Sequence, residues 1–350
     1  MLIPAAAIVV IATVAPAARA TPVSFVGGFN HVQTIASTVP KNGDVNPYGV
    51  AVAPVTAGRL VSGDVLVSNF NNHRNLQGTG STIVEVSPSG GVSLFASLDP
   101  NKLPGACPGG LGLTTALVAL KGGWVIVGSL PTKNGRSATA KAGCLLVLDS
   151  SGTPVETISG PLINGPWDMT ASDAGTALFV TNVLDGTVVR VGLSLSGPMP
   201  IVTSETTIGS GFPAHPDPAA LEVGPTGVGL ASDGTLYVAD SAGNRLAAIG
   251  DALNRTMPTG GTTVSAGGAL NDPLGLAIAP NGDILTVNGG DGNLLETSPT
   301  AGQVAVKMLD NSPAPPGANG NGTLFGLAVT PGGDGVYFVD DGTNTLNVLN

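Results

Sequence analysis

The chain has 350 residues, of which 52 are glycine and 28 proline, while charged residues reach only 10% and aromatics 4%. Its formal net charge of -10 is the wrong sign for the basic footprint that nucleic-acid binding needs. The 42% hydrophobic content excludes an intrinsically disordered chain, and the scarcity of charged helix formers excludes a coiled coil or helical array. What remains is a glycine-punctuated, mostly β protein.

In chain order, residues 1–20 stand apart. Ala5 to Pro16 is apolar and is followed by the small-x-small triplet Ala18-Arg19-Ala20. This is the pattern of a signal peptide with its cleavage site, and the run is shorter than the ~20 residues that a membrane span needs. The expectation is a mature chain from Thr21, secreted or periplasmic. No later segment holds 18 uninterrupted apolar residues, so no membrane partner is expected after signal removal.

Residues 21–350 are read as a single domain built from a repeat. Pro225-Thr226-Gly227 leads through an alternating run to Asp233-Gly234 and then to Leu236-Tyr237-Val238-Ala239-Asp240. Pro273-Leu274-Gly275 leads through Asn281-Gly282 to Ile284-Leu285-Thr286-Val287-Asn288 with the same spacing. Further copies start near Gly49, Gly112, Asp168 and Gly326, so six copies fill the mature chain at about 55 residues each. After each terminal Asp or Asn comes a turn and a third strand, Thr82–Val86 in the first copy and Arg245–Ile249 in the fourth. Most copies then add a fourth strand, such as Val92 to Ala96. Six four-stranded units predict an all-β, six-bladed β-propeller. The last copy stops after its third strand, and His31 to Ser37 is an orphan strand. That strand is predicted to close the ring as the outer strand of the last blade, removing an open edge.

The run Pro-x-Gly, Asp-Gly, Leu-Tyr-Val-Ala-Asp and Gly-Asn-Arg-Leu between Pro225 and Ile249 closely resembles the NHL repeat. The resemblance covers about residues 40–350 and is strongest in the fourth to sixth copies. It implies the propeller fold and leaves function open, because NHL-type propellers include lyases, ligand sensors and interaction modules. Gluconolactonase-like, strictosidine-synthase-like and streptogramin-inactivating propellers are similar by pattern.

In such a ring the repeat places two sets of residues on one face. The first strand starts at Tyr48, Leu111, Trp167, Thr226, Leu274 and Phe325. The second strand ends at Asn69, Ser129, Asn182, Asp240, Asn288 and Asp340. A concave, partly aromatic mouth with convergent polar groups is the default binding site. The candidate binding residues are therefore Tyr48, Asn69, Trp167, Asp168, Asn182, Asp240, Asn288, Phe325 and Asp340. Asp168 replaces the repeat glycine and is expected to face the axis. The Asn and Asp ends have two readings. They fix turns through backbone N–H groups, or their oxygens hold Ca²⁺ or another divalent cation.

Cys107 and Cys144 form an even pair in an exported chain, which makes a disulfide the expectation and two buried thiols the alternative. On the propeller topology it would lie on the mouth face and clamp the loop Leu130 to Gly143. The three histidines, His31, His73 and His215, lack zinc-ligand spacing. His73 and His215 fall in mouth-side loops, where a general base or a solvated side chain both fit.

Two functions follow. The first is an exported monomeric module that binds a small molecule, glycan or protein on the mouth face, with no certain cofactor and no nucleic-acid partner. The second, implied by the resemblance to gluconolactonase-like propellers, is a metal-dependent hydrolase or lyase of a lactone-like molecule. Asp168, Asp240, Asn182 and Asn288 would then surround the ion.

Overall fold

The computed structural model describes residues 23–350, so the expected signal peptide at 1–20 lies outside the described residues. Six four-stranded antiparallel sheets form the blades of a β-propeller. Their innermost strands are Val45–Val52, Leu113–Ala119, Pro166–Ala171, Pro225–Leu230, Pro273–Ile278 and Leu324–Val329, in blades one to six. In blades one to five the chain runs from the innermost strand outward. Blade six takes three strands from the carboxyl end, and Val32–Ser37 pairs antiparallel with Thr345–Leu349 as its outer strand. The predicted closure of the ring is therefore present.

The strand sequences follow from their position in a blade. Second strands such as Leu236–Asp240 and Val336–Asp340 are buried along their whole length between neighbouring blades, so they read as continuous apolar runs. Outer strands such as Val92–Ser97 are mixed, with Phe95 inward and Val92 and Leu94 exposed.

The repeat glycine has a steric cause at the blade junctions. A Cβ on Gly275 would lie 2.0 Å from the Phe325 carbonyl oxygen of the next blade, and one on Gly326 would lie 2.1 Å from that of Tyr48. A Cβ on Gly227 would meet the Leu274 oxygen at 2.2 Å. The innermost strands approach so closely around the axis that only glycine fits without a hydrogen bond across the gap. Register corrects the second copy here. Leu113 pairs with Ser129 as Pro166 pairs with Asn182 and Pro225 with Asp240. The repeat is therefore in register three residues later than the Leu111-Gly112 reading, and Thr114, not Leu111, stands in the ring with Tyr48 and Trp167. Thr115 occupies the glycine position and its hydroxyl donates to the Trp167 carbonyl. Asp168, the other exception, accepts the Val228 N–H at 3.0 Å.

The segment before the closing strand fastens blade five as well. Glu296 accepts hydrogen bonds from Ser24 Oγ at 2.5 Å, the Phe25 N–H at 2.6 Å and the Val26 N–H at 2.9 Å. Burial pushes the Glu296 carboxyl up, but these three donors outweigh it and hold the group below the ordinary glutamate range.

Candidate functional site

The two rings occur at one end of the propeller, and register pairs each second-strand end with the residue just before a member of the first ring. Pro47 pairs with Asn69, Leu113 with Ser129, Pro166 with Asn182, Pro225 with Asp240, Pro273 with Asn288 and Leu324 with Asp340. All six strand-end polar residues are buried. Five of them spend the side chain on the entry or turn loop of their own blade, while Asn69 Oδ1 has no hydrogen-bond partner among the described residues. Asn182 accepts the Asn164 N–H at 3.0 Å and donates to the Leu162 carbonyl at 2.9 Å. Asn288 does the same with Asn271 and Ala269, and also donates to Asp291 Oδ1 at 2.9 Å. Asp240 accepts the Gly243 N–H at 3.0 Å and pairs with Arg245 Nε at 2.8 Å, and that guanidinium lies over the Phe212 ring. Asp340 accepts the Thr343 N–H at 3.1 Å. Asn69 donates to the Thr38 carbonyl at 3.1 Å.

The aromatic candidates do come together. Tyr48 stacks on Phe325 with centroids 4.0 Å apart and on Phe70 at 4.4 Å, and Trp167 stands 5.9 Å away. They do not form an open mouth. The loop entering blade four folds into a hairpin, His215–Asp217 paired with Leu221–Val223, which has no counterpart in the repeat. Its Ala220, Leu221 and Val223 are buried in one cluster with Tyr48, Phe70, Trp167, Leu274 and Phe325. Asp217 Oδ1 accepts the Ala219 and Ala220 N–H groups at 2.7 and 2.8 Å and closes the turn. Gln77 holds the tip by donating to the Ala219 carbonyl at 2.7 Å, and Ser137 donates to Glu222. The hairpin is a plug, and the sequence pattern gave no sign of it beyond an unusually long loop.

Beside the plug a polar pocket of about 430 Å³ remains, lined among others by Asn46, Asn71, Asn75, Gln77, Asn321 and Asp341. Among the described residues, Asn46 Oδ1 and Asn71 Oδ1 are buried with no hydrogen-bond partner, and so are Tyr48 Oη and Trp167 Nε1. Burial and the neighbouring Asp340 charge push the Asp341 carboxyl up to about 7. Burial also raises the Tyr48 phenol well above its ordinary value, and the charges of Asp341 and Asp217 add to it against the Asn46 side chain beside the hydroxyl. Burial followed by the Asp217 charge lifts Asp272 to about 6, with His215 opposing.

Asp168 lies on the other side of the aromatic layer. It lines an axial cavity of about 390 Å³ that is walled by all six innermost strands and borders the opposite face, near Pro54, Lys121 and Asp173. The four residues considered for a metal therefore do not converge. Asp240, Asn182 and Asn288 are turned into their own loops, while Asp168 is spent on backbone N–H groups facing the axis. Among the described residues, no three His, Cys, Asp or Glu side chains are grouped to hold a metal ion. The residues present do not fit the metal centre that the lactonase-like reading requires. The three histidines are all exposed. His215 belongs to the plug, where its Nδ1 lies 3.0 Å from the Pro216 carbonyl oxygen.

Cys107 and Cys144 are joined in a disulfide, which ties the approach to blade two to the start of that blade's third strand. The loop 130–143 is held between them and the plug.

No protein-family model matches the sequence, and a comparison with curated proteins finds no match. Solved structures match over almost the whole chain. A gluconolactonase from Xanthomonas campestris superposes with a TM-score of 0.60 at 11% identity, covering 93% of this chain and 90% of its own. An inactive virginiamycin B lyase from Staphylococcus aureus, solved with quinupristin, gives 0.54 at 13% identity, covering 91% and 99%. A luciferin-regenerating enzyme gives 0.55 at 12% identity, covering 91% and 95%. The chain shares the fold of these six-bladed propellers. At such identities the propeller likeness is one of fold.

Proposed function

We propose that this propeller is an exported binding module, and that it takes a small polar ligand such as a polyol or a sugar in the pocket beside the plug. The reading rests on one observation. Two buried amide oxygens of the pocket wall, Asn46 Oδ1 and Asn71 Oδ1, have no hydrogen-bond partner among the described residues. An unpaired buried polar atom costs about 1–3 kcal/mol. Ligand hydroxyls donating to these oxygens would recover that cost, and Asp341 and Asn321 supply further polar contacts on the same wall. The plug contributes Pro218 and Ala219 to the pocket, so it shapes the site while covering the aromatic layer.

The test is a thermal-shift and calorimetric screen of monosaccharides, disaccharides and polyols. Asn71→Leu and Asp341→Asn should each weaken the best ligand by about tenfold, the worth of one hydrogen bond, without unfolding the protein. A screen with no ligand, or a ligand unaffected by both substitutions, would refute the reading. Export is tested separately by amino-terminal sequencing of protein recovered outside the cytoplasm, with Thr21 as the expected first residue.

A further inference from the structure

The axial cavity has no part in the reading above and lies on the far side of the aromatic layer. Leu117, Met169, Leu230, Leu276 and Leu327 from five different blades give it an apolar wall. Its inner end carries one ionisable side chain, Asp168, which is itself buried. The other charged residues of the lining, Lys121 and Asp173, are exposed at the outer rim.

The hydrogen bonds of Asp168 define what it can offer. Oδ1 accepts the Met169 N–H at 2.8 Å, and Oδ2 accepts the Val228 N–H at 3.0 Å. No cation pairs with it among the described residues. Burial pushes its pKa up to about 8 against those two N–H groups, so at neutral pH the group is mostly the acid. The acidic O–H then has no acceptor among the described residues: both oxygens are already engaged as acceptors, and the Thr115 hydroxyl of the same layer is committed to the Trp167 carbonyl. A buried donor of this kind is unsatisfied until something supplies an oxygen.

We propose that the axial cavity binds a neutral, mainly apolar small molecule bearing one oxygen acceptor, such as a ketone or ester, which takes a hydrogen bond from the Asp168 carboxylic acid. A volume of about 390 Å³ lies within the ordinary range of small-molecule sites. The apolar wall supplies the affinity, and the acid fixes which end of the ligand points inward. An anion is disfavoured by the buried acid and a cation by the need to ionise it.

The experiment compares heptan-2-one with heptan-1-amine by calorimetry on the full chain, between about pH 6 and pH 9.5. The ketone should bind with constant affinity to about pH 7 and weaken roughly 30-fold by about pH 9.5, as the acid ionises. Asp168→Gly installs the residue that blades four to six carry at this place, so it should fold, and it should weaken the ketone at least tenfold. Asp168→Asn keeps a donor, so it should retain binding and lose the pH dependence, which a purely structural role would not produce. Asn71→Leu and Asp341→Asn should leave ketone binding unchanged, separating this site from the plug-side pocket. An absence of ketone binding, an affinity indifferent to Asp168→Gly, or tighter binding of the amine with affinity rising to pH 8 would overturn the proposal.

Discussion

Asp168 Oδ2 accepts the Val228 N–H at 3.0 Å across the junction between blades three and four, where blades four to six place a glycine against a carbonyl. The same side chain thus replaces a steric contact with a hydrogen bond and brings a buried ionisable group to the axis.

That burial sets a pH dependence of stability. Asp168 titrates at about 8 in the fold against 3.8 for an ordinary aspartate. Between those values the folded protein holds a proton that the unfolded chain has released, so stability falls as pH rises through the window. Asp341 at about 7 and Asp272 at about 6 act with the same sign over narrower windows. The melting temperature should therefore fall between about pH 5 and pH 8, and Asp168→Gly should flatten part of the slope. A wild-type melting temperature that rises over this range would contradict the account.

The glycines of the junctions are not equivalent to those of the turns. A Cβ on Gly326 would sit 2.1 Å from the Tyr48 carbonyl oxygen, whereas one on Gly234 meets nothing within 4 Å. Gly326→Ala must push two innermost strands apart and should cost about 3 kcal/mol or more, or prevent folding. Gly234→Ala is penalised only by its positive φ of 83°, at about 1–2 kcal/mol. Urea denaturation of the two variants gives the comparison, and equal losses would remove the steric explanation.

The amino-terminal segment joins two blades, and its removal should be felt at both. Residues 32–37 supply the outer strand of blade six, while Ser24, Phe25 and Val26 satisfy Glu296 in blade five. Deleting residues up to Ser37 leaves Glu296 buried without these donors and opens a strand edge. The truncated protein should melt earlier and self-associate at concentrations where the longer chain is monomeric, as read by light scattering. Glu296→Gln in the intact chain should reproduce the destabilisation and not the association.

Most of the fold was legible because spacing carries it. The thirteen-residue step from Gly227 to Asp240 recurs from Gly275 to Asn288, and strand register reproduces both hairpins. The second copy hides its register, because Thr115 holds the glycine position and Gly112 is the nearest glycine. The burial of the strand-end Asn and Asp residues was half legible, since their turn-fixing role is local. The plug was not legible. Pro213 to Val223 contains three prolines and no alternation, and it folds only against Tyr48 and Phe325, which are distant in sequence.

The plug is held by a residue under strain, and this gives a sharp test of what it does. Leu221 has a left-handed φ of 67°, which costs a non-glycine residue about 1–2 kcal/mol. Its side chain is 1% exposed within the cluster of Tyr48, Trp167, Leu274 and Phe325, and truncating a buried leucine costs about 2–5 kcal/mol. Packing outweighs strain, so both Leu221→Ala and Leu221→Gly should destabilise the protein. Alanine keeps the strained backbone while glycine relieves it, so the glycine variant should be the more stable of the two by about 1 kcal/mol, the reverse of the usual order. Both variants should loosen the cover over Trp167, read as acrylamide quenching in a Trp124→Phe background. If alanine proves more stable than glycine, or if Trp167 stays protected in both, the hairpin is not held over the aromatic layer by Leu221.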